Sequence, residues 1–289
     1  MMKANKYFIF TVISLLLAAT LLFSCGSISA GQIVNILVKS APSIIKAFEE
    51  ITPEQEYYIG RAVGANILAM YRVYDKDWDL LFYLNRICGV ITINSPRPDI
   101  YNGYHLAILD SDEINAFATS GGHIFITRGL IACAESEDAL AGVIAHEVAH
   151  IQLQHGLKAI KNSRMNQALV QTGAATVEQT MPLGELTSIF TESIGEVVTT
   201  MVISGYSQTQ EFEADATAIS LMASAGYDPN GLMLMLRTLE KNYTSSGSGF
   251  GKTHPTPTDR IKNAEKTVNQ VKVTDTKSYR QNRYKTIVK

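Results

Sequence analysis

The chain has 289 residues, 46% of them hydrophobic and 18% charged, with 20 glycines and 8 prolines, a globular balance that excludes a disordered, collagen-like or disulfide-stapled protein. Its 25 basic and 27 acidic side chains leave a net charge of -2, which excludes polyanion binding driven by bulk charge. Three cysteines without a CxxC pair exclude a thiolate zinc ribbon and a thioredoxin-type redox site.

Lys3 and Lys6 precede an uncharged, mostly apolar run over residues 7–23, the layout of a secretory signal. Leu22-Phe23-Ser24-Cys25 then resembles a bacterial lipobox: a branched aliphatic residue three before the cysteine, a small one directly before it, and a thiol for diacylation. Phe23 is bulkier than is usual at its position. The expectation is a signal peptide over 1–24 and a lipid on Cys25; plain secretion and a retained membrane helix, near the lower length limit for spanning, are the alternatives. Gly26 lacks the acidity associated with inner-membrane retention, which favours an outer membrane facing the periplasm. Nucleic acid is not an expected partner there, and Cys88 and Cys133 either pair as a disulfide or stay as buried thiols. No later stretch reaches membrane length without charge, since Glu185, Glu192 and Glu196 interrupt the apolar region after Leu183.

Residues 25–52 read as anchor and lead-in helix, with apolar positions at Ile33, Ile36, Leu37, Ile44, Ile45 and Phe48 broken by Pro42. Thr52 as N-cap with Pro53 at the first helical position predicts a helix to about Val73. A second helix begins near Asp77 and carries Leu80, Leu81, Leu84 and Ile87. HLAIL, INAFATS and GGHIFIT, separated by Asp110-Ser111-Asp112 and Gly121-Gly122, predict about three strands. Ser136 caps a helix with Glu137 and Asp138 in its first turn and Gly156 at its end; Ser207 opens another that ends at Gly226. Between them, residues 158–206 have weak periodicity, and 244–251 form a Ser/Gly linker. The final 29 residues, from Ile261, hold eight basic and two acidic side chains, leaving 25–260 at about -10 once Lys3 and Lys6 are set aside. Residues 265–289 read as a basic tail, solvated or meeting anionic lipid or an acidic partner. The fold class is mainly α with a small three-stranded sheet (α+β).

His146-Glu147-Val148-Ala149-His150 lies within the Ser136-capped helix, so the two histidines share a face and can reach one ion. Glu147, about 100° around the helix, is placed to hold a water instead of the ion. The alternative is a surface helix with incidental polar residues, but Val143, Ile144, Val148 and Ile151 make this helix buried, where unpaired histidines and a glutamate are costly. A catalytic metal needs a third protein ligand. His155 lies about 140° past His150 on a continued helix and reads as a helix-end charge or a hydrogen-bonding group. Glu211 is the better candidate: with Asp215 one turn on, one carboxylate can ligate while the other accepts the N–H of a ligating histidine, and Glu213 points elsewhere. Alone, this ExxxD pattern usually marks a solvated acidic face.

HEVAH followed by QEFEADATA, preceded by NAFATSGGHIFITRGLI and trailed by HPTPTDRI, resembles the HtpX-like and CAAX-prenyl-protease-like zinc metallopeptidases, metallopeptidase family forty-eight. The similarity spans residues 53–264, taken as the catalytic domain. With the lipobox, the chain is similar to the periplasmic branch containing BepA-like and LoiP-like proteins. The resemblance implies a zincin-like fold and one Zn2+ per chain on His146, His150 and Glu211, with Glu147 as general base and acid and Asp215 as outer partner. It also implies that Gly122, His123, Ile124 and Phe125 form an active-site edge strand for substrate; an ordinary core hairpin is the alternative. His254 and Arg260 match the family's HPxxxxR block: His254 either occupies the fourth zinc position or is an exposed loop histidine, and Arg260 holds a peptide carbonyl or a neighbouring carboxylate. Gln208 departs from the arginine common in relatives, which weakens a local ion pair. The implied function is metal-assisted hydrolysis of unfolded or misassembled envelope proteins, beside envelope assembly machinery; a latched chaperone or assembly factor is the competing reading.

Overall fold

The computed structural model describes residues 50–161, 205–242, 257–271 and 277–288, together with residues 195, 198, 199 and 254. The signal and lipobox region, the lead-in before residue 50, most of 158–206 and the 244–251 linker lie outside the described residues.

Helix α1 (Pro53–Met70) starts where Thr52 accepts from the Gln55 N–H and the Gln55 side chain returns to the Thr52 N–H, a reciprocal cap that satisfies two backbone donors. Asp77 caps α2 (Trp78–Ile93) through the Leu80 N–H. Strands β1 (His105–Leu109), β2 (Ala116–Thr119) and β3 (His123–Thr127) form a mixed sheet of order β1-β3-β2, with β1 parallel and β2 antiparallel to β3. The predicted edge strand is therefore corrected: Gly122 leads into, and His123, Ile124 and Phe125 belong to, the central strand, whose backbone groups are taken by β1 and β2. Gly121, at φ 77°, makes the β2–β3 turn against the Tyr57 backbone.

Alternation sends Leu106, Ile108, Ala118, Ile124 and Ile126 to one face of the sheet and Leu109, Phe117 and Phe125 to the other. The second face meets Ile59, Val63 and Ile67 of α1. The first meets α2 and α4 (Glu137–Gln152), which follows the short α3 (Arg128–Cys133). Helices α5 (Gln208–Ser224), α6 (Asn230–Lys241) and α7 (Pro257–Val268) complete that side. Thus α4 is enclosed: every residue from Glu137 to Ile151 is buried. Gly142 admits α6 closely, since a Cβ there would stand 2.8 Å from Leu232 Cα. Among the described residues no helix is long and apolar enough to cross a membrane.

The basic C-terminal stretch is not a solvated tail. Its end folds as α8 (Lys277–Ile287), with Tyr284 and Arg280 buried. Tyr284 donates its hydroxyl to the Ala134 carbonyl, Arg280 Nε pairs with Asp138 at 2.7 Å and Arg283 pairs with Glu137. Those acids form the first turn of α4, while Arg97 donates to the Ile151 carbonyl at its far end at 3.1 Å. Both ends of α4 are thus held with the sign its dipole favours. Cys88 and Cys133 are free thiols.

Candidate active site

Four side chains from three places in the sequence meet inside the core. His146 and His150 project from one face of α4, Glu211 comes from the first turn of α5, and His254 precedes α7; their ligand atoms all lie within 4.8 Å of one another. Ser207 starts α5 with a side-chain cap on Gln210 N, the step that brings Glu211 into its first turn. His146 Nε2 is 3.0 Å from His150 Nε2 and 3.4 Å from Glu211 Oε2, and His150 Nε2 is 3.3 Å from Glu211 Oε1.

Those separations suit a metal ion. Nitrogen and oxygen donors at about 2.0–2.2 Å from a tetrahedral ion stand about 3.3–3.6 Å apart, the range of the two histidine–Glu211 contacts, with the two rings slightly closer at 3.0 Å. Two imidazole nitrogens facing one another beside a carboxylate also bring electron pairs together that a cation satisfies better than one shared hydrogen. A second observation agrees: Glu147 Oε1 is buried, accepts no hydrogen bond among the described residues, and faces His254 Nε2 at 3.9 Å. That leaves the carboxylate aimed beside the ligand set instead of within it.

Surrounding charges fix the ionisation pattern. Burial drives the Glu147 carboxyl up, outweighing the opposing pull of His254 and His146. Burial acts the same way on Glu211, but His254, Arg260 and the two ligand histidines hold it well below the usual carboxylate range. Burial keeps His150 far below the ordinary imidazole range, as a neutral ring with a lone pair to give. Against burial and Arg260, Asp215 and Glu211 pull His146 up.

Outside the ligand atoms, Asp215 Oδ1 lies 3.0 Å from His146 Nδ1, the place expected of an outer partner. Arg260, fully enclosed, pairs with Asp215 Oδ1 at 2.6 Å and Glu211 Oε2 at 2.9 Å, so it holds neighbouring carboxylates. His254 is buried with Nδ1 2.8 Å from Glu211 Oε1, which sets aside the exposed-loop alternative. Gln208 donates its side-chain amide to the Asp259 carboxylate at 3.2 Å.

His155 and Tyr206 were not legible as site residues. Helix α4 ends at Gln152, four residues before Gly156, and Gln154 takes φ 55°, so the helix is broken and its projection no longer locates His155. Its ring is buried with Nδ1 2.8 Å from His150 Nδ1, and Glu213, expected to point elsewhere, lies 3.3 Å from its Nε2. Tyr206 stacks on His150 with centroids 4.2 Å apart. The available signal was a histidine just past the helix end, without a spacing rule to interpret it.

The chain is similar to several known proteins. The chain is 29% identical over 227 residues to the beta-barrel assembly-enhancing protease of Escherichia coli O157:H7, covering 75% of this chain and 43% of that protein. It is 28% identical over 232 residues to the mitochondrial metalloendopeptidase OMA1 of Schizosaccharomyces pombe, covering 79% and 65%. It is 29% identical over 148 residues to metalloprotease LoiP of Escherichia coli K12, covering 51% and 56%. The chain thus spans less than two thirds of the length of each of these curated relatives. Residues 85–268 match the family described as Peptidase family M48, from within α2 to the end of α7. Because that match takes in more than half of the sequence, the chain belongs to peptidase family M48.

Proposed function

We propose that this chain is a zinc-dependent metalloendopeptidase, anchored in the bacterial envelope by a lipid on Cys25, that hydrolyses unfolded or misassembled envelope proteins. The observation carrying the hydrolytic reading is the meeting of His146, His150 and Glu211 at 3.0–3.4 Å beside the unbonded Glu147 Oε1. Two nitrogens and one carboxylate form a donor set typical of catalytic zinc, and His254 lies within reach of the fourth position. Zinc held there would supply Lewis acidity toward the scissile carbonyl and acidify a water at neutral pH.

The remaining steps belong to the chain's own groups. Glu147 Oε1 takes a proton from the attacking water and returns it to the leaving amine nitrogen, a task suited by the upward shift of its carboxyl. Asp215 orients His146 through Nδ1, and Arg260 braces Asp215 and Glu211 together. Among the described strands β2 is paired on one side only and α4 packs on it; an extended substrate pairing along it would be read by main chain before side chain, which suits unfolded chains. The name of the beta-barrel assembly-enhancing protease supports a setting beside outer-membrane assembly, and the lipobox residues support a periplasm-facing anchor.

Glu147→Gln is the direct test. It is expected to retain one zinc per chain by metal analysis and to lose cleavage of casein; cleavage retained by the metal-replete variant refutes the assignment. One observation favours a second reading, a latched chaperone or assembly factor: His254 sits buried against Glu211 where a substrate carbonyl would approach. Increased casein cleavage by His254→Ala supports a regulated protease, and unchanged inactivity supports the binding reading.

A further inference from the structure

The two ligand histidines differ in what holds their outer nitrogens. His146 presents Nδ1 to Asp215, which Arg260 braces. His150 presents Nδ1 to His155 Nδ1 at 2.8 Å, and His155 Nε2 lies 3.3 Å from Glu213 Oε2. His155 is fully buried, whereas Glu213 is 48% exposed and stands 3.7 Å from Lys158 Nζ. A line of polar contacts therefore runs from the ligand set to the protein surface.

Two facing ring nitrogens bond only when one carries hydrogen and the other does not. Hydrogen on His155 Nδ1 would force the His150 hydrogen onto Nε2, the atom that faces His146 and Glu211, leaving no lone pair for a cation. The Glu213 carboxylate selects the other arrangement because an ionised carboxylate only accepts. It favours hydrogen on His155 Nε2; His155 Nδ1 is then bare and accepts from His150 Nδ1–H; the His150 Nε2 lone pair then points into the ligand cluster. Tyr206, stacked on His150 with planes 17° apart, keeps the ring from turning out of this alignment.

We propose that His155 and Glu213 are positioning residues that set the tautomer of His150 for metal ligation, with Glu213 acting from the surface through His155. This assignment rests on the zinc reading of the site. The test compares zinc affinity of the full chain with Glu213→Gln, Glu213→Ala and His155→Gln, by competition with a chromogenic chelator, alongside thermal melts of each metal-free protein. Because the Gln amide can donate as well as accept, Glu213→Gln is expected to weaken zinc binding about tenfold, the lower end for loss of an outer partner, while the metal-free melt stays unchanged. The cobalt-loaded protein should show a shifted ligand-field band in the same variants. Zinc affinity unchanged in the Glu213 variants, or a loss that only tracks a lowered metal-free melt, overturns the proposal. His155 is buried, so should His155→Gln fail to fold, the half-exposed Glu213 carries the test. A parent chain that takes up no zinc refutes the metal reading itself, an outcome distinct from a parent that binds zinc as tightly as its variants.

Discussion

Arg280→Ala tests whether the C-terminal helix supports the helix that carries the site. The Arg280 and Asp138 side chains are 4% and 8% exposed with Nε and Oδ1 2.7 Å apart, and Arg280 also donates to the Gly226 carbonyl. Breaking a buried pair by removing one partner costs about 3–5 kcal/mol, because the other charge stays buried. Asp138 keeps part of its support: the Asp228 N–H at 2.9 Å, and a first-turn position in α4 where the dipole favours an anion. The expected loss is therefore about 2–3 kcal/mol, which for a domain of this size lowers the melting temperature by about 5–10 °C. Thermal and urea melts of Arg280→Ala, Asp138→Asn and the double variant should give a coupling of about 1.5–3 kcal/mol. Added salt should change that coupling little, as befits a pair shielded from solvent. A coupling below about 0.5 kcal/mol, with Arg280→Ala melting beside the parent, would refute the docking of α8 on α4.

Gly142→Val places side-chain atoms where Leu232 Cα already stands 2.8 Å from a built Cβ, so α4 and α6 must part; a loss of about 1–3 kcal/mol in urea melts is expected, and an unchanged midpoint contradicts the close approach. Burial pushes the Cys133 thiol up to about 11, so alkylation there, followed by peptide-resolved mass spectrometry, should be slow at pH 8 and rise about tenfold per pH unit toward pH 10; a profile levelling near pH 8.5 would contradict it. Burial pushes Cys88 further, to about 12, and it should react only after unfolding.

Helix starts could be read because each rests on a local exchange of hydrogen bonds. Thr52, Ser136 and Ser207 each cap a helix as expected, and Asp77, near which a helix was expected to begin, caps it too. The ligand pair was equally local, since residues four apart on a helix share a face. The order of the sheet was not local: β1 and β3 pair in parallel across the intervening β2, and nothing within HIFIT distinguishes a central strand from an edge one. Helix α8 escaped because its buried residues are Arg280 and Tyr284, not a periodic aliphatic stripe, and the acids that accept them lie far back at Glu137 and Asp138. His155 escaped for a backbone reason, the left-handed Gln154, which ends the geometry on which its phase was judged.

That α8 follows every ligand residue in the sequence also bears on when the site comes into being. Synthesis delivers His146, Glu147 and His150 first; Glu211, His254 and Arg260 emerge later, and the arginines that grip the opening turn of α4 follow them. A nascent chain that has only passed α4 therefore holds its ligand histidines without their third donor or the arginine that braces it. The proposed protease therefore lacks its full donor set until the residues beyond His254 and Arg260 have been made.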